Sequence, residues 1–167
     1  MLGLALTCEN DAVVTVDDTS TTTISPDMFE EFCMGYTDRM VDATHAVNKF
    51  YFHHSCGLIR DLLPLYRQTK MDAVHGFTVP PIGNVTVAEG RELLGPDITI
   101  IAGFSSIILA VNFEQRAEAA RGIEALFRES SPGNRFILIL SSEPYNTMQE
   151  LMFVVQECRK YQRMYSQ

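Results

Sequence analysis

KFYFHHSCGLIRDLLPLYRQTKMDAVHGF, residues 49–77, holds one complete strand–helix–strand unit. KFYFHHS (49–55) is aromatic or apolar at consecutive positions, as expected of a parallel strand covered on both faces. LIRDLLPLYRQT is amphipathic and helical in pattern, with Pro64 either in its first turn or at a kink. MDAVHGF (71–77) reads as the next strand. The same alternation extends outward on both sides. AVVTVDD (12–18), DITIIAG (97–103) and RFILILS (135–141) complete a set of five strands. SPDMFEEFCMGYTDRMVDATHAVN starts with Ser25 as N-cap, Pro26 at the first helical position and acids in the first turn. TVAEGRELLG carries a capping box, Thr86 with Glu89, and stops at Gly95-Pro96. NFEQRAEAARGIEALFRES and NTMQELMFVVQECRKYQ supply the last two helices. Strand and helix repeated in this way predict an α/β fold with a parallel sheet, in a single domain over residues 1–167.

Bulk composition narrows the function. The chain has 167 residues, 46% hydrophobic and 20% charged, enough to bury a core. Its net charge of -8 argues against nucleic acid or an anionic membrane as partner, since both require a basic face. No run approaches the roughly 20 apolar residues of a membrane span. The start, MLGLALTCENDAVV, has no positive region and reads as no signal peptide. Cys8, Cys33, Cys56 and Cys158 form no CxxC pair and read as the reduced thiols of a cytoplasmic protein. Met28, Met34, Met40, Met148 and Met152 read as core filler. No phosphate loop and no serine nucleophile elbow is present.

The polar residues gather at the strand ends. Strand one ends in Asp17-Asp18, strand two in His54, Cys56 and Gly57, and strand three carries His75 and Phe77. Strand four runs into Phe104, and strand five into Ser141-Ser142-Glu143-Pro144. The C-terminal ends of parallel strands are where α/β folds place their sites. Residues two apart on a strand share a face, so Phe50, Phe52 and His54 line up and Cys56 continues the row. His-x-Cys thus sets an imidazole and a thiol side by side, both good zinc ligands. A buried thiol and a hydrogen-bonded core imidazole are the alternative reading.

HSCGLIRDLLPLYRQTKMDAV resembles the His-x-Cys-Gly strand and following helix of the uroporphyrinogen decarboxylase superfamily, which includes cobalamin-dependent methyltransferases. AVVTVDDTSTTTISPDMFEEF resembles its Asp-Asp strand end and Ser-Pro helix start. GFTVPPIGNVTVAEGRELLGPDITIIAGF resembles its Pro-Pro-x-Gly segment, short helix and Gly-ending strand, and GNRFILILSSEPYNT its last strand. The resemblance implies a partial TIM-type (β/α) barrel: the last five parallel strands, with the N-terminal strands missing, where a whole barrel takes about 250 residues. Open sheet edges would result. A homo-oligomer, or a companion chain that completes the barrel, is therefore expected.

For the methyltransferase branch the resemblance implies zinc held by His54 and Cys56, with a later cysteine as third ligand. Ser141 or Ser142 stands at that place, and Glu143, His75 or Asp17 could substitute. Such a site activates a thiol for methyl transfer, with a corrinoid as methyl donor or acceptor. For the decarboxylase branch it implies arginines that hold a tetrapyrrole's carboxylates, mainly in the missing strands, and an aspartate opposing a protonated pyrrole. Asp17 and Asp18 could fill that second role or simply form a turn. The expected catalytic set is Asp17, Asp18, His54 and Glu143, and the expected contacts to a small-molecule substrate are Arg60, His75, Phe77 and Phe104. Arg60 could equally pair with a surface acid such as Asp61. A non-catalytic partial barrel acting through another chain is the remaining expectation.

Overall fold

The computed structural model describes residues 2–105, 115–141 and 147–165. Five parallel strands alternate with helices in an open sheet of order β1-β2-β3-β4-β5, the α/β layout of part of a TIM-type barrel. The strands are β1 (Ala12–Val16), β2 (Phe50–His54), β3 (Ala73–Thr78), β4 (Thr99–Ser105) and β5 (Phe136–Ser141). The chain divides into two compact units, Met1–Ala102 and Gly103–Gln167, with the boundary inside β4.

In the first unit, a short helix absent from the sequence expectation, α1 (Leu2–Thr7), precedes β1. Lys49 holds its end by donating to the Cys8 carbonyl at 2.5 Å. The helix expected from Ser25 forms in three continuous pieces: α2 (Pro26–Met28), a π-helical stretch (Phe29–Met34) and α3 (Gly35–His45). Ser25 is its N-cap, accepting from the Met28 amide at 3.2 Å. A 3-10 turn (Arg60–Leu62) leads into α4 (Leu63–Tyr66), and Pro64 sits in its first turn, where no amide is needed. The Thr86–Glu89 capping box opens α5 (Val87–Leu94).

Strand register sorts the side chains into two faces. Val13 pairs with Tyr51, Thr15 with His53, and His53 with Val74. This face turns to the helices, and Phe29, Tyr51, Ile59, Leu62, Leu63, Tyr66 and Val74 are buried. The opposite face carries Ala12, Val14 and Val16 beside Phe50, Phe52 and His54. Val14, Val16 and Phe50 are 43%, 75% and 57% exposed, an apolar surface on an ordered sheet. Gly76 breaks the alternation in β3: its φ of 77° is open to glycine at little cost. Phe77 therefore turns into the core, where a Cβ on Gly90 would lie 2.5 Å from its ring.

The second unit contains α6 (Gln115–Ser130), β5 and α7 (Met148–Tyr165). Ala119, Ile123 and Leu126 of α6 and Val154 and Tyr161 of α7 are buried. Tyr165 donates to Glu124 at 3.2 Å and ties the two helices. Among the described residues, no helix is long and apolar enough to cross a membrane.

Candidate functional site at the strand ends

The register sets His54 of β2 opposite His75 of β3. Their Nδ1 atoms lie 2.8 Å apart, with ring centroids at 5.0 Å and planes tilted by 46°. A contact of that length between two imidazole nitrogens needs one proton: one ring donates, the other accepts. Two imidazolium rings could not hold it. Burial, and then the neighbouring His54, push His75 below the usual histidine range. Glycine at 76 is what makes room, because a Cβ there would come within 2.6 Å of His54 Cε1.

One loop away, Cys56 Sγ donates to Asp18 Oδ1 at 3.3 Å. Asp18 is in the left-handed region (φ 43°), which directs the loop after β1 toward the loop after β2, and Gly57 (φ 80°) turns the chain just beyond Cys56. Burial, then the hydrogen bond and charge of Asp18, raise the Cys56 thiol above its ordinary value. In this arrangement the thiol is held toward its protonated form.

Behind this mouth lies a buried polar cluster that the sequence reading passed over. His53 is fully buried. Its Nε2 is 2.9 Å from Thr19 Oγ1, which is 2.8 Å from the Tyr66 hydroxyl. Ser55 Oγ donates to the Thr19 carbonyl and lies 2.9 Å from the Tyr66 hydroxyl. His53 Nδ1 is buried with no hydrogen-bond partner, and the nearest acid is Asp17, whose Oδ2 is 3.6 Å away. Burial pulls His53 down to about 4, against the opposing charge of Asp17, and so keeps the ring neutral. Burial also pushes Tyr66 up to about 12.

The expected site residues are thus drawn together in two contacts, His54 with His75 and Asp18 with Cys56, with Asp17 alongside. Arg60 is engaged elsewhere: Nη1 meets Glu89 Oε1 at 2.5 Å, and this bond and the Thr86 amide hold the Glu89 carboxyl down at about 2. Its partner is Glu89, from α5, and not Asp61. Phe77 is packed in the core, against Gly90. The Phe104 side chain and Glu143 lie outside the described residues. The implied zinc can be tested against the donors in place. Among the described residues, no three His, Cys, Asp or Glu side chains are grouped to hold a metal ion. His54 contacts His75 through Nδ1, and the Cys56 thiol donates to Asp18. The side chains of Ser141, Ser142 and Glu143, where the third donor was expected, lie outside the described residues.

Comparison with known proteins gives a consistent picture. No curated protein matches the chain. Among solved structures, a methyltransferase from Methanosarcina mazei superposes with a TM-score of 0.65 at 17% identity, over 90% of this chain and 41% of its own. Citrate synthase SbnG superposes with a TM-score of 0.58 at 11% identity, over 99% of this chain and 69% of its own. At these identities both likenesses speak to the fold alone, and the chain spans under half the length of the methyltransferase. The model of the family described as Uroporphyrinogen decarboxylase (URO-D) matches residues 4–141, most of the chain and all five described strands. The protein belongs to the uroporphyrinogen decarboxylase family.

Proposed function

We propose that the chain carries the acceptor-activating part of a methyltransferase site of the uroporphyrinogen decarboxylase superfamily, transferring a methyl group to a thiol. The observation that carries this reading is the His54–His75 contact at the strand ends. A pair that holds one proton between two nitrogens has a free nitrogen to accept another from an acceptor S–H. The sulfur then forms the new S–CH3 bond, and the methyl donor departs with the electron pair of the broken bond. A methylated corrinoid, when bound, would supply that methyl group and a good leaving group. Asp18 contributes by keeping Cys56 a thiol, so that the protein's own sulfur does not compete for the methyl group. The exposed apolar face of β1 and β2 is assigned to a companion chain or second copy that closes the barrel around the site.

Decarboxylation of a tetrapyrrole is the second reading, favoured by the two carboxylates Asp17 and Asp18 at one strand end. The same imidazole pair would then return a proton to carbon as carbon dioxide leaves. The engagement of Arg60 with Glu89, and a net charge of -8, weigh against a polycarboxylate substrate.

The test uses metal-stripped protein with methylcobalamin and a small thiol, following loss of the methyl–cobalt absorbance. Thiol methylation above background that survives chelator and drops about 100-fold or more in His54→Asn and His75→Asn supports the reading. Transfer that appears only with added zinc, or none at all, contradicts it. Release of carbon dioxide from uroporphyrinogen by the same protein would instead establish the second reading.

A further inference from the structure

Two glycines with positive φ stand immediately after residues of the mouth: Gly57 (80°) after Cys56, and Gly76 (77°) after His75. A glycine has no side chain to hold such a turn, so its neighbours must fix the backbone. One hydroxyl touches both. Thr78, the last residue of β3, accepts from the Gly57 amide at 3.1 Å and donates to the Gly76 carbonyl at 2.9 Å, both through Oγ1. The directions leave no choice: an amide N–H only donates, a carbonyl only accepts, and a hydroxyl has one proton to give. Thr78 is itself held from behind. The chain after it doubles back, with the Gly83 amide bonded to the Val79 carbonyl at 3.0 Å. It returns so closely that a Cβ at Gly83 would lie 1.8 Å from the Thr78 carbonyl and 3.2 Å from the Gly57 carbonyl.

We propose that Thr78 is a positioning residue for the mouth: its hydroxyl pins the Gly57 and Gly76 backbones to one point and so holds His75 against His54. The paired register of β2 and β3 ends at those two histidines. Beyond them the Ser55 amide still reaches the His75 carbonyl at 2.9 Å, and the Thr78 hydroxyl then carries the join across Gly57 and Gly76. Without the hydroxyl the Gly57 amide loses its partner, and Gly76, whose missing Cβ makes room for the His54 ring, is free to swing. A swing there carries the adjacent His75 ring away from His54. The inference deepens the methyl-transfer reading by naming what holds its imidazole pair in place. It rests on that reading for the effect on turnover alone; the ring contact and the amide bond are predicted whether or not methyl transfer occurs.

The test takes the full chain, chelator-treated at pH 7, with two substitutions. Thr78→Val removes the hydroxyl at nearly constant volume, and Thr78→Ser keeps it. Wild type and Thr78→Ser should show an NMR cross-peak between carbon-bound ring protons of His54 and His75, and a Gly57 amide protected from hydrogen exchange. In Thr78→Val the cross-peak should be lost and the Gly57 amide should exchange about three- to tenfold faster, the range set by losing one hydrogen bond. Thiol methylation should fall about tenfold or more in kcat in Thr78→Val, with KM for the thiol within about twofold, and recover in Thr78→Ser. An intact cross-peak in Thr78→Val overturns the proposal, as does a Thr78→Ser protein that behaves like Thr78→Val. Should Thr78→Val not fold, the wild-type Gly57 amide decides: protection supports the proposal, and exchange at the rate of an open amide overturns it. Ring contact that follows the hydroxyl, in a protein with no methyl transfer in any form, would overturn the proposed function and leave this inference standing.

Discussion

A single histidine shows how little of a site's chemistry follows from residue type. His53 and His54 are neighbours, yet strand alternation sends one into the core and one to the mouth. His53, pulled from 6.5 to about 4 by burial, gives stability a definite pH dependence. The folded value is the depressed one, so the unfolded chain takes up the proton first. Stability is complete above about pH 6.5 and falls as pH drops toward 4, by up to about 3 kcal/mol. Urea unfolding midpoints measured across that window should slope steeply in wild type and less in His53→Gln. A second prediction concerns Arg60, whose ion pair is exposed on both sides. Arg60→Gln should leave thiol methylation within about twofold of wild type, since an exposed pair of this kind holds little that the site needs. A large loss would mean that the arginine leaves Glu89 to reach substrate. That His54, Cys56 and Asp18 stand at or just past strand ends, and that His75 lies within β3, was readable from the sequence. Their pairing was not. Which of two adjacent residues faces a helix, and that Gly76 makes room for two rings to meet, depend on register and on one backbone angle.

At the scale of elements, the caps and the strand–helix alternation were readable because each rests on local chemistry. Ser25 and the Thr86–Glu89 box do in the structure what their spacing predicts. Strand ends moved by one or two residues, and the π-helical stretch Phe29–Met34 carried no local signal. The short helix Leu2–Thr7 was also missed, since its end is held by Lys49, far away in sequence. Two substitutions test this level. Thr86→Ala removes the cap of α5 and should cost about 1 kcal/mol in urea unfolding. Gly76→Ala faces both a positive φ and a Cβ 2.6 Å from His54 Cε1, and should cost at least about 2 kcal/mol. It should also force the two rings apart and abolish methyl transfer in whatever protein remains folded. Wild-type stability and activity in Gly76→Ala would contradict the geometry given for the site.

For the whole molecule, the five-strand count and the α/β class were available from pattern alone, and the family from motifs spread over the chain. What pattern could not supply was the state of the open sheet. Val14, Val16 and Phe50 lie exposed on one face of β1 and β2, and β1 is an edge strand. Monomeric proteins seldom leave such a surface bare. The chain should therefore sediment as more than its 18.8 kDa monomer. Val16→Lys with Phe50→Lys should shift it to the monomer, as read by analytical ultracentrifugation. A wild-type chain that is monomeric at every concentration would contradict a second copy as the cover of this face.

The claim on which the rest depends is that His54 and His75 meet as a metal-free pair sharing one proton. It is tested most directly by 15N NMR of the labelled histidines in chelator-treated protein at pH 7. One of the two facing Nδ1 atoms should be protonated and the other not, with a coupling between the rings that His75→Asn removes. Two Nδ1 atoms in the same protonation state, or rings whose signals change only when zinc is restored, would contradict it.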